Sequence, residues 1–274
     1  MAERSTDELL GFARDSDPIW ELFHENSKNR RQLLELNARS SADIQTEMQK
    51  FHESLPFPGY PNIALPVPGA LDYPLERAIA ARESTRELSP RQITLQELTL
   101  ILHHAYGMQR ENSYVPFPPR TRAVPSAGAL YPLEIFFYAA TVPELTPGLY
   151  HYSPKEHCLH LLRALPAARI WEATLYPEFV RGAALSVFVT ALFERSTWKY
   201  GARGYRYALI EAGAVAQNLG LVAAALDLGC FNLGGYVDGE IDELLGLDGV
   251  THATVHMLCI GGRASRQPSA NSSG

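Results

Sequence analysis

The sequence predicts an α+β fold, a central mixed or antiparallel sheet flanked by helices, and three observations carry that prediction. Short runs rich in aromatic and branched residues, bounded by proline, glycine or charge, recur from 133 to 260. A long small-residue helix interrupts them between Gly204 and Leu228. The elements do not follow the strict strand–helix alternation of a parallel sheet. With 274 residues, 46% of them hydrophobic, the chain can bury a core without disulfides or metal.

Residues 1–70 read as an appendage and connector. Up to 53 the chain is polar and leans helical, with apolar clusters at Ile19, Trp20, Leu22 and Phe23 and at Leu33, Leu34 and Leu36. Leu55–Pro74 carries six prolines, which remove amide donors and fix φ, so an extended connector and a domain boundary are expected there. Residues 71–264 form the main domain, and the polar tail 265–274 is expected to be disordered.

Within the main domain, Thr94-Leu-Gln-Glu97 is a capping box that opens an apolar-periodic helix stopped by Gly107. Strands are expected at 133–140, 149–152, 158–162 and 184–193. The stretch YRYALIEAGAVAQNLGLVAAALDL is apolar around nearly its whole circumference, with Ala212, Gly213, Ala214 and Ala216 permitting close approach; it reads as a buried central helix suited to sharing with a second subunit. Strands near 231–237 and 253–260 flank a short helix at 238–245 with Asp238 as its N-cap.

Composition excludes several function classes. The 24 basic residues against 30 acidic give a net charge of -6 with no block of like charges to grip a phosphate backbone, so no nucleic acid is expected. Cys158, Cys230 and Cys259 form no C-x-x-C pair and read as buried thiols of a reducing compartment. The N-terminus is too charged for a signal peptide and no apolar run approaches the roughly 20 residues that cross a bilayer, so a cytoplasmic protein with no membrane partner is expected. No dinucleotide fingerprint or P-loop occurs. His151, His157, Cys158 and His160 fall in an expected hairpin that could gather them, but their spacing is not that of a structural zinc site, and no metal is expected.

Arg82-Glu-Ser-Thr-Arg86 places two guanidinium groups four residues apart, so on a helix both could reach one anion. Arg122–Pro132 combines prolines, small residues and Gly128 just before a strand, which lets a flat ring approach the backbone. The blocks RESTR, RAVPSAGALYPLEI, GLYHY, KYGARGYRYALIEAGAVAQNLGL, LGGYV and IGGR, in that order, resemble the SagB-type dehydrogenases, also called thiazole/oxazole oxidases, within the FMN-dependent nitroreductase superfamily. The resemblance spans roughly residues 75–263.

That resemblance implies a nitroreductase-like FMN-binding fold, an intertwined homodimer, and an FMN at each dimer interface. It implies that Arg82, Ser84 and Arg86 bind the flavin and that Arg263 lies on its phosphate side. It implies that Pro125, Ser126, Ala127 and Gly128 pack by main chain on the ring from the other subunit, and that Leu233, Gly234 and Gly235 lie near its reactive nitrogen. Lys199-Tyr200 matches the pair associated with azoline oxidation, with Tyr200 the candidate base and Lys199 favouring its phenolate. The implied reaction turns the thiazoline or oxazoline of a modified peptide into an azole, beside a cyclodehydratase or peptide synthetase. Two other readings remain: an NAD(P)H-dependent nitro- or quinone-type reductase, and a non-catalytic partner subunit, which would be colourless.

Overall fold

The computed structural model describes residues 19–29, 41–48, 54–112 and 120–263. The cluster at Leu33–Leu36 and the tail at 265–274 lie outside the described residues. In chain order come α1 (Ile19–Asn26), α2 (Ser41–Met48), β1 (Asn62–Ala64), α3 (Leu75–Ala81), β2 (Leu88–Ser89), α4 (Leu95–Tyr106), β3 (Met108–Glu111) and β4 (Arg120–Arg122). There follow β5 (Leu133–Ala139), β6 (Gly148–Ser153), β7 (Cys158–Ala164), α5 (Ala168–Glu172), α6 (Pro177–Val180), β8 (Leu185–Leu192) and α7 (Glu194–Tyr200). The last elements are α8 (Ala202–Ala225), β9 (Leu228–Leu233), α9 (Asp238–Leu245) and β10 (His252–Arg263).

Eight strands form one sheet in the order β1-β7-β6-β5-β8-β10-β2, with β9 on the other flank of β10. All its strand pairs are antiparallel, so the mixed alternative drops out. Strand alternation sends side chains to two separate cores. Ile135, Phe137, Val187, Val189, Leu258 and Ile260 pack with α4 and α8. Phe136, Phe188, Met257 and Cys259 pack under α5, α6 and α9. Both faces are covered, which is why β5 and β8 read as nearly continuous apolar runs.

The helix α8 is the longest element, 24 residues, and it lies in the core. By length and composition it could cross a bilayer, contrary to the expectation that no stretch would, yet more than half of its apolar window is buried inside the fold. Close packing rests on small residues. A Cβ at Gly204 would fall 2.7 Å from backbone atoms of Ser196 and Thr197, so only glycine lets α7 fold back on the first turn of α8. Tyr205, Leu209 and Ile210 remain exposed, with Gly213 on the same stripe.

Three local expectations need correction. The proline-rich connector contains a strand: β1 pairs with β7, with Asn62 opposite His160, so the connector closes the sheet edge. Asp238 is the first residue of α9 and makes no side-chain cap; Val237 holds the N-cap position, and Asp238 and Glu240 instead place negative charge at the helix's positive end. The last inner strand starts at Leu228 and ends before Gly234, because its register follows β10 from Gly262 back to Met257. Helix α1 docks on α8 through Phe23 against Tyr205 and through Arg206, which donates to the His24 carbonyl at 2.7 Å.

The capping box forms as expected. The Glu97 amide donates to the Thr94 hydroxyl and the Thr94 amide to the Glu97 carboxylate at 2.9 Å. Replacing Thr94 by alanine should cost about 1 kcal/mol. In a domain of this size that lowers the melting midpoint by about 2–4 °C in a calorimetric scan. An unchanged midpoint would mean the cap adds nothing to α4.

Candidate active site

Two groups of expected site residues assemble, at opposite ends of α8. The first forms around its C-terminal half. Helix α3 stops at Ala81, and Arg82, at φ -66 and ψ 117, begins an extended segment. The segment is held to β9 by a parallel bridge between Ser84 and Cys230 and by the Thr85 amide, which donates to the Cys230 carbonyl at 3.0 Å. The expectation of two arginines one helical turn apart is therefore wrong: the backbone here satisfies the open edge of β9. Arg82 and Arg86 then part: Arg82 lies toward α8 and Arg86 toward Phe231, on the other face of β9.

The Arg82 stem lies on Gly220 of α8, and Arg86 sits 5.6 Å over the Phe231 ring. Arg263 reaches the same place from the end of β10. Its Nη1 donates to Glu83 at 2.9 Å and its Nη2 to the Ala81 carbonyl at 3.2 Å, while its buried Nε makes no hydrogen bond and lies 3.7 Å from an Asp227 carboxylate oxygen. Among the described residues no carboxylate pairs with Arg82 or Arg86. The uncompensated positive charge here is that of Arg82 and Arg86, since Arg263 is paired with Glu83 and Asp227.

The second group lies at the N-terminal end of α8. Pro125–Gly128 forms a tight loop before β5, in which Gly128 (φ 63), Ala129 (φ 54) and Tyr131 (φ 46) all take left-handed conformations. Such residues cost of order 1–3 kcal/mol each when not glycine and persist only where the surroundings fix them. Lys199 and Tyr200, at the end of α7, press on this loop. A Cβ at Gly128 would fall 2.6 Å from the Tyr200 hydroxyl and 2.8 Å from Lys199 Nζ, so any side chain there would displace the ends of those two groups, and its positive φ also favours glycine. Leu233, Gly234 and Gly235 join neither group. Gly234 stands open and Gly235 packs on the Tyr176 ring.

The electrostatics reverse one expectation. Burial raises the Tyr200 phenol, with Tyr207 adding to it, and burial lowers the Lys199 ammonium. Lys199 Nζ lies 5.3 Å from the centre of the Tyr200 ring, over its face. Burial thus weakens the charged form of both groups, and a phenolate held by an ammonium is not what this site favours.

Beneath the loop lies a buried polar network that sequence reading missed. Glu134 accepts from Arg195 at 2.6 Å and bonds His151 at 2.8 Å, both contacts fully enclosed. Arg195 also donates to the Tyr131 carbonyl at 3.3 Å. The Arg122 guanidinium lies 4.4 Å over Tyr106 and donates to the Leu133 carbonyl at 3.3 Å. Tyr106 donates to Glu211 of α8 at 2.8 Å, and the Ser126 side chain also hydrogen-bonds Glu211. Ser126 in turn accepts from the Tyr131 amide at 2.9 Å. Burial pushes Glu134 up, but Arg195, His151 and Arg122 outweigh it and hold it down at about 2. Burial wins at Glu211, raised to about 7 against the hydrogen bonds from Ser126 and Tyr106. The visible signal was a lone acid in an apolar run, Glu134 in LEIFFYAA and Glu211 in ALIEAGAVA.

Residues 79–262 match the nitroreductase family, and the chain belongs to it. A Methanocaldococcus jannaschii protein carrying the nitroreductase name, MJ1384, is 37% identical over 180 residues, covering 65% of this chain and 87% of its own. The microcin B17-processing protein McbC of Escherichia coli is 32% identical over 138 residues, covering 46% of this chain and 49% of McbC, so the chain spans about half of that relative. The E. coli microcin synthetase McbBCD complex, solved with truncated pro-MccB17 bound, shares the fold at a TM-score of 0.57 and 23% identity, covering 94% of this chain and 97% of that one. Membership brings the expected cofactor, FMN. The residues present fit it: Arg82, with no carboxylate partner among the described residues, and Ser84 beside it suit a phosphate, and the buried Nε of Arg263, which makes no hydrogen bond, adds a donor near them.

Glu211 should give stability a pH dependence of definite sign. Its folded value of about 7 lies above the ordinary 4.5, so its contribution is complete below 4.5 and is lost as pH rises through about 7. The span amounts to about 3 kcal/mol. Denaturant unfolding from pH 5 to 8 should show that loss in the native chain and its absence in Glu211→Gln, which mimics the neutral acid. Parallel profiles in the two proteins would place the titration elsewhere.

Proposed function

We propose that this chain is an FMN-dependent azoline dehydrogenase, converting thiazoline or oxazoline rings of a modified peptide to azoles, as a cytoplasmic homodimer. The observation that carries the reading is the contact of Lys199 and Tyr200 with Gly128, which joins a proton-transfer pair to the ring-binding loop. Azole formation removes a hydride from one ring carbon and a proton from its neighbour. FMN, when bound, supplies the hydride acceptor. Lys199, its ammonium destabilised by burial, takes the proton as a neutral amine. Tyr200, kept protonated, donates a hydrogen bond that orients the azoline.

The exposed stripe on α8 supports the homodimer. The arginine group of one chain and the Gly128 group of another would meet across the exposed stripe of Tyr205, Leu209, Ile210 and Gly213. The likeness to McbC and to a peptide-bound synthetase complex supports an azoline-containing peptide as substrate, with a cyclodehydratase or peptide synthetase as co-worker. The higher identity to MJ1384 favours a second reading, an NAD(P)H-dependent nitro- or quinone-type reductase. Anaerobic mixing separates them: azoline-dependent bleaching supports the dehydrogenase, and rapid bleaching by NADH or NADPH alone supports the reductase.

Arg82→Ala should weaken FMN retention about tenfold to a hundredfold, the worth of one charged hydrogen bond. Arg263→Ala should cost less, because Glu83 already engages that guanidinium. Flavin occupancy after dialysis is the measurement, and full occupancy in both variants would remove the phosphate assignment.

Lys199→Ala should retain the flavin spectrum and lose about 10²–10⁴-fold in single-turnover flavin reduction by an azoline substrate. The native rate should climb with pH as Lys199 becomes neutral, and that limb should vanish in the variant. If Tyr200→Phe abolished the pH dependence while Lys199→Ala kept it, the tyrosine would be the base.

A further inference from the structure

At the far edge of the sheet, away from both groups of site residues, three side chains of ligand type meet at the end of the β6–β7 hairpin. Cys158 Sγ lies 3.6 Å from a Glu156 carboxylate oxygen and 3.9 Å from His160 Nε2, and the same oxygen lies 3.7 Å from His160 Nε2. We propose that Glu156, Cys158 and His160 form a zinc-binding site, independent of the flavin chemistry.

The distances carry the argument. Ordinary zinc–sulfur, zinc–nitrogen and zinc–oxygen bonds meeting at tetrahedral angles set their ligand atoms about 3.5 Å apart for sulfur and oxygen, about 3.6 Å for sulfur and nitrogen and about 3.3 Å for nitrogen and oxygen. All three observed separations lie within about 0.4 Å of those edges. The His160–Glu156 distance exceeds a nitrogen–oxygen hydrogen bond, and the Cys158 thiol makes long contacts with both, so an ion in the place of the thiol proton would meet all three groups.

The local fold explains the convergence. Cys158 and His160 are two residues apart on β7 and so project from one face, and His157, at φ 53, turns the chain so that Glu156 folds over that face. His157 itself points away, its ring bonded to the Pro66 carbonyl, and His151 is taken by Glu134. The His160 ring is braced by stacking on His151 at 5.9 Å and by Phe57 at 5.6 Å.

Cys158 and His160 are buried while Glu156 is exposed, which gives an entry path and leaves the fourth position to water. On binding, the Cys158 thiol releases its proton to solvent. Thiolate and carboxylate then balance the dication, so no net charge is left in the half-buried site. The thiolate, imidazole and carboxylate set suits zinc and disfavours magnesium or calcium. Because β1 pairs with β7 at this point, a bound ion would tie the edge strand to the hairpin.

Competition with a chromophoric zinc chelator, on the flavin-loaded protein, tests the site. The expected result is one zinc per chain, with affinity falling at least tenfold in Cys158→Ser and in Glu156→Gln. Glu156 is exposed, so that variant separates ligation from folding. Cobalt in place of zinc should give a thiolate charge-transfer band that Cys158→Ser abolishes. No stoichiometric zinc uptake, or uptake that survives both substitutions, overturns the assignment.

Discussion

The candidate active site hangs on one buried carboxylate. Glu134 opens β5, the strand that follows the Gly128 loop, and it is enclosed between Arg195 and His151. Arg195 belongs to α7 and lies one helical turn before Lys199, and the same guanidinium grips the Tyr131 carbonyl at the end of the loop. A single ion pair thus fixes the loop and the helix that carries Lys199 and Tyr200 relative to each other. Removing one partner of such a pair leaves an uncompensated buried charge, typically about 3–5 kcal/mol, so the constraint is stiff.

That stiffness answers the loop's strain. Ala129 and Tyr131 hold left-handed conformations that neither residue prefers. Ala129 closes a tight turn, its amide donating to the Ser126 carbonyl at 3.0 Å, and Tyr131 is kept by the network below. The Tyr131 hydroxyl accepts from the Arg122 amide at 3.0 Å, its own amide donates to Ser126, and its carbonyl accepts from Arg195. Every polar group of Tyr131 is engaged, and the cost of the backbone is offset by the cost that breaking any of these bonds would carry.

The fold was largely legible because its signals are local. The capping box at Thr94, the apolar strands of β5 and β8 and the small-residue helix α8 each rest on neighbours in sequence, and each formed where the pattern put it. Where tertiary pairing decided the outcome, the pattern failed. The RESTR segment became extended because an open strand edge was available, and the proline-rich connector yielded a strand because β7 lacked a partner. The site was legible as motifs but not as an arrangement. Nothing in the spacing tells that Lys199 and Tyr200 touch Gly128, or that burial rather than the neighbouring charge sets their protonation.

The division of the site along α8 gives the helix its odd composition. One face must be small enough to let α7, the loop network and the Arg82 stem approach at Gly204, Glu211 and Gly220 in turn. The opposite stripe carries the exposed Leu209 and Ile210, and Tyr205, on which Phe23 of α1 packs. If two chains pair along that stripe, each arginine group is brought toward the other chain's Gly128 group. The buried acid Glu211 then lies midway on the element that both half-sites share. Its neutral state at moderate pH spares the core a second unbalanced carboxylate while still bonding Tyr106 and Ser126. Helix α8 thus reconciles two demands in one sequence: a packed core and a polar anchor for the strained loop.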